Sequence, residues 1–111
     1  MGYKTNIRKK LNKLKLDKTV VNYFVEAVDY CIKEGIAPVD VVLTKHFYPN
    51  LEKKYNTTKA IILKNCILSI KESWNTVEQK VFIAQLGYGN KPTVKKLLVL
   101  LLNELKEKGI E

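Results

Sequence analysis

Three features of the sequence predict an all-α fold, one bundle of six or seven short helices containing a helix-turn-helix. Apolar residues recur at helical spacing in most segments. The segments are separated by Gly, Pro and Asn-Thr punctuation rather than by hairpin turns. No convincing pair of strand patterns occurs along the chain, and neither an internal repeat nor a low-complexity linker interrupts it.

With 111 residues the chain reads as one domain over 1–111, its first six residues a flexible lead-in. Ile7, Leu11 and Leu14 give a lysine-rich first helix one apolar edge. Val20, Val21, Phe24, Val25, Val28, Cys31 and Ile32 keep the 3.6-residue period through a second helix, which Gly35 ends by supplying a left-handed position. Ile36-Ala-Pro38 breaks the chain. From Val39 to Tyr48 the apolar pattern suits helix or strand equally, because valine-rich runs favour strands.

Pro49 fits the first turn of a new helix, where its missing N–H has no partner to lose. Leu51 and Tyr55 form the apolar edge of that helix, Asn56 its left-handed cap, and Thr57 or Thr58 the cap of the next, which runs to about Trp74. Thr76 with Gln79 makes a capping-box pattern for a further helix closing at Gly87 or Gly89. Thr93 then caps a last helix from Val94 to Lys108, stopped by Gly109.

Hydrophobic residues make up 46% of the chain and charged residues 28%, the balance of a chain that buries a core. The net charge of +9 points toward nucleic acid or an anionic surface. Among the 20 basic residues only Arg8 is arginine. Lysine acts mostly as a point charge on phosphate, whereas arginine is the usual bidentate reader of guanine.

Cys31 and Cys66 each lie inside an apolar helical pattern and are expected to be buried thiols, with no metal site. No apolar segment follows the basic N-terminus, Asn6 stands where a myristoylation pattern wants Ser or Thr, and the run from Leu97 to Leu102 is far too short to span a bilayer. A cytoplasmic protein without membrane contact is expected. The single His46 has no acidic or Cys partner at ligand or triad spacing, and no glycine-rich phosphate loop is present. The chain therefore does not read as an enzyme, and no cofactor is expected.

The segment from Leu43 to Thr58, Leu-Thr-Lys-His-Phe-Tyr-Pro-Asn-Leu-Glu-Lys-Lys-Tyr-Asn-Thr-Thr, resembles the I-T-K-x-x-Y-P-x-I-A-K-K-F-N-T-T stretch of one bacterial family. Trp74 stands at the family's distance beyond the Asn-Thr-Thr turn. Leu86-Gly-Tyr88 is similar to its F-G-Y, and Lys91-Pro-Thr93 to its K-P-T before the last helix, although the link between Tyr88 and Lys91 is shorter. The family is the C-terminal DNA-binding effector domain of the sporulation stage-zero response regulator. The resemblance implies an all-α bundle of about six helices that regulates transcription by binding double-stranded DNA. The residues before Ile7 are too few for a receiver domain, so control by phosphorylation within the chain is not expected.

In that family the second helix of the motif is rich in arginine and reads base edges in the major groove. Position by position, one family Arg corresponds to Ile61, a Glu to Leu63, a second Arg to Lys64 and a third Arg to Ile67. The matching recognition helix comprises Lys59, Ala60, Ile61, Leu63, Lys64, Asn65, Ile67, Leu68 and Lys71, with Lys64 and Asn65 as base contacts and Ile61 or Ile67 against thymine methyls. Phosphate contacts are expected from Lys53, Lys54, Thr57, Thr58, Lys91, Thr93, Lys95 and Lys96. About 100° per residue turns Ile62, Cys66, Ile70 and Trp74 toward the core and Lys64, Lys71 and Asn75 away from it. Ile61 and Leu68 fall near the outward side, with Leu63 and Ile67 toward one border.

Two other readings compete with a sequence-specific regulator. The apolar outer face could make the domain a protein-interaction module or antagonist, with a homodimer on DNA or pairing with another regulator as the arrangement. Alternatively, the N-terminal lysines with Lys95 and Lys96 could bind nucleic acid without sequence preference.

Overall fold

The computed structural model describes residues 3–13, 16–73 and 93–108. The helix ends and caps expected at Leu14, Trp74, Thr76, Gln79, Gly87, Gly89 and Gly109 lie outside them, as do Asn75, Lys91 and the Leu86-Gly-Tyr88 match. Helices follow one another as α1 (Tyr3–Lys13), α2 (Lys18–Lys33), a 3-10 turn (Pro38–Asp40), α3 (Leu43–His46), α4 (Tyr48–Tyr55), α5 (Lys59–Ser73) and α6 (Val94–Lys108). There is no strand among the described residues, and the all-α class is as expected. The first helix starts at Tyr3, so residues 3–6 belong to α1.

The second helix organises the molecule. Asp17 caps its start by accepting the N–H of Thr19 at 3.1 Å, and the Asp17 N–H itself donates to Ser69 Oγ at 2.8 Å, joining the cap to α5. At the other end the N–H of Gly35 returns to Ile32 at 3.2 Å and that of Ile36 to Cys31 at 2.9 Å. This is a Schellman closure, and it requires the left-handed φ of +66° that Gly35 adopts without strain.

Val20, Phe24, Val25, Val28 and Cys31 of α2 are fully buried. Ile7 and Leu11 of α1, Leu51 of α4, Ile62, Cys66 and Ile70 of α5, and Leu97, Leu98 and Leu101 of α6 join them in one core. The run from Leu97 to Leu102 is buried nearly all round because α6 packs on α2, α5 and the 3-10 turn. A six-residue apolar stretch is thus explained by core packing. The Cα radius of gyration of 13.0 Å agrees with the roughly 13 Å of a single folded unit of this length.

Where the pattern from Val39 to Tyr48 left helix and strand open, the chain turns twice. Pro38 starts the 3-10 turn, then α3 makes a single turn. His46 explains why so short a helix holds: its Nδ1 accepts the N–H of Val42 at 2.9 Å, satisfying a donor that helix starts leave orphaned. The His46 side chain is half-buried and has this backbone partner. Phe47 follows, fully buried, with its ring 5.6 Å from Phe24 and 5.1 Å from Tyr48. It seats the first helix of the motif on α2.

Candidate nucleic-acid interface

The turn between α4 and α5 is built as the sequence indicates. Pro49 lies in the first turn of α4, and Asn56 takes the left-handed conformation at φ 51°, ψ 53°. The N–H of Thr57 closes on the Glu52 carbonyl at 3.2 Å. Thr58, rather than Thr57, caps α5, its Oγ1 accepting the N–H of Ile61 at 3.3 Å.

Glu52 has a part that sequence reasoning missed. Its Oε2 accepts the N–H of Lys59 at 2.9 Å across the turn, which fixes the two helices to each other. The Lys59 amine lies 5.4 Å from the centroid of the Tyr48 ring, a cation–π contact between the same two helices. An acidic residue seven positions before a helix start carries no recognised sequence signal, so this brace becomes visible only in three dimensions.

The inner face of α5 is as expected: Ile62, Cys66 and Ile70 are buried, together with Ser69 and Ser73. Burial pushes the Cys66 thiol up to about 12 and raises that of Cys31 as well, so both remain protonated, inert core groups at neutral pH. On the outer face Ala60, Lys64 and Lys71 are exposed. Ile61 and Ile67 each retain 50% of their accessible surface and Leu68 retains 48%. Ile67, expected near a border, is as exposed as Ile61, and no other segment among the described residues covers the three.

Several expected site residues are engaged elsewhere. The Asn65 amide donates to Tyr23 Oη at 3.4 Å, so this side chain leans back toward α2 instead of outward, because a tyrosine of α2 lies within reach. Leu63 is half-buried against the core and adds to packing rather than to a readable face. Lys54 pairs with Glu26 of α2 at 3.1 Å, and the hydrogen bond to that carboxylate, with its charge, holds the ammonium above its ordinary value. The Thr58 hydroxyl is used as a cap, and Thr93 caps α6 by accepting the N–H of Lys96 at 3.2 Å. Thr57 is half-buried.

Lys53, Lys95 and Lys96 are exposed, the first on α4 and the other two at the start of α6. The one arginine, Arg8, donates from its guanidinium to Asn22 Oδ1 between α1 and α2. What α5 presents is therefore lysine and apolar surface, with the carboxylate of Glu72 exposed in its last turn. Its two outward lysines, Lys64 and Lys71, make no ion pair among the described residues.

A groove between α2 and α4, about 390 Å³, is lined by Glu26, Asp29, Lys33, Lys53 and Lys54 among others. Its charges largely satisfy one another, since Asp29 pairs with Lys33 at 3.1 Å and Lys4 at 3.6 Å while Glu26 holds Lys54. No helix among the described residues is long and apolar enough to cross a membrane. No protein family, curated protein or solved structure gives a significant match to this chain.

Proposed function

We propose that the chain is a sequence-specific DNA-binding transcription regulator of the sporulation effector type, working in the cytoplasm, with α5 as the helix that enters the major groove. The observation that carries this reading is the outer face of α5. Lys64 and Lys71 project from it without ion-pair partners among the described residues, beyond a turn braced by Asn56, Glu52 and Thr58. Braced helices of this kind suit groove insertion, because α4 and the turn hold the reading helix at a set angle to the backbone. The net charge of +9 supplies attraction to phosphate, and Lys53 and Lys59 flank the same turn.

Electrophoretic retardation of an A·T-rich duplex tests the reading. With about five phosphate contacts, affinity should fall by two to three orders of magnitude between 50 and 200 mM salt, because each contact releases condensed counterions. Absence of retardation at low salt would remove DNA binding of either kind. A second reading, a protein-interaction module, draws on the half-exposed Ile61, Ile67 and Leu68. Sedimentation of the DNA-free chain separates the two: a regulator that uses this face on DNA leaves it unpaired in the free state, whereas self-association lost in Ile61→Ser favours the module.

A further inference from the structure

Resting on the DNA-binding reading, we infer that the outer face of α5 recognises thymine through its 5-methyl group, with Ile61, Leu68 and Ile67 as the specificity-determining residues. At about 100° per residue Lys64 projects from the middle of the face, with Ile61 and Leu68 roughly 40–60° to one side and Ile67 about 60° to the other. A line of lysine thus runs between two apolar edges. Ile61 and Leu68 are seven residues apart, about 10 Å along the axis, which is close to three base-pair steps.

Apart from Lys64, whose ammonium can donate to guanine, the groups that normally read the other bases are missing from this face. Guanine is usually read by a bidentate arginine, and Arg8 is bonded to Asn22 between α1 and α2. Adenine is usually read by Asn or Gln, and Asn65 is turned to Tyr23. Cytosine is read by an acidic group, and the outward side chains of α5 before its last turn include none. The thymine methyl is the one apolar feature that a base pair displays in the major groove, and three half-exposed aliphatic side chains match it. Charge complementarity selects DNA as the occupant over a second copy of the chain: two copies facing each other would bring Lys64 and Lys71 against their own equivalents, whereas a duplex presents phosphates to them.

The test compares binding of the 111-residue chain to four duplexes of equal length at one salt concentration: a thymine-rich site, the same site with every thymine replaced by deoxyuridine, a G·C-rich site, and that site with 5-methylcytosine. Deoxyuridine removes only the methyl, so affinity should drop about fourfold for each methyl contacted, and 5-methylcytosine should recover part of the loss seen on the G·C-rich site. In Ile61→Ser/Ile67→Ser/Leu68→Ser, checked by circular dichroism for retained helix, thymine and deoxyuridine duplexes should bind equally. Equal binding by the unaltered chain overturns the inference and leaves DNA binding standing. A thymine preference that survives in the triple variant also overturns it, since duplex deformability would then be the cause. Binding to none of the four duplexes overturns the DNA reading itself.

Discussion

Replacing Phe47 by alanine is expected to cost about 3–5 kcal/mol, the range for emptying a fully buried aromatic site. A chain of this size has on the order of 5–15 kcal/mol in total, so one side chain accounts for a large share. The cost has three sources. The ring loses its apolar burial, its contacts with Phe24 and Tyr48 disappear, and the cavity opens between α2 and the start of α4, where the backbone is already committed to caps and a Pro49 first turn. Chemical denaturation checks this through a lower midpoint at unchanged slope. A change below about 1 kcal/mol would show that Phe47 does not anchor the motif.

Lys64→Glu is expected to weaken DNA binding by thirtyfold or more near 0.1 M salt while leaving the fold intact, since the side chain is exposed and unpaired among the described residues. The variant loses one counterion-releasing contact and places a negative charge against phosphate. Lys9→Glu on α1 makes the same change in net charge, and its effect should be several times smaller. Titration of both variants against one duplex separates a reading helix from diffuse attraction, because equal losses would mean that net charge alone governs binding.

Much of the fold was legible because local rules and tertiary demands agree. The α2 period ends at a glycine that needs positive φ, and Asn56 takes the left-handed cap that its amide side chain tolerates. Thr58 and Thr93 are caps in the structure as they are by pattern. The stretch from Val39 to Tyr48 was ambiguous because its outcome depends on a single side chain, His46, bonding back four residues to Val42. Periodicity does not encode such a bond.

The candidate site was legible in outline and less so in detail. A helical wheel finds which α5 side chains leave the core, and Ile61, Lys64, Leu68 and Lys71 do leave it. It cannot find partners contributed by other helices. Asn65 turns in because Tyr23 lies 42 positions earlier in the chain, and Lys54 is held by Glu26, 28 positions away. Both residues look like free polar contacts until α2 is placed beside them. Leu63 shows the same limit in apolar form, since only the packed core reveals that half of it is covered.

The central claim is that α5 faces DNA and chooses sequence with an apolar and lysine surface. Selection of bound duplexes from a random pool measures that most directly. Successive rounds should enrich a short motif with thymines spaced over about three to four base pairs, and Ile61→Ser/Ile67→Ser/Leu68→Ser should flatten the enrichment without abolishing low-salt binding. A pool that remains unenriched while the chain still binds in low salt would contradict the claim.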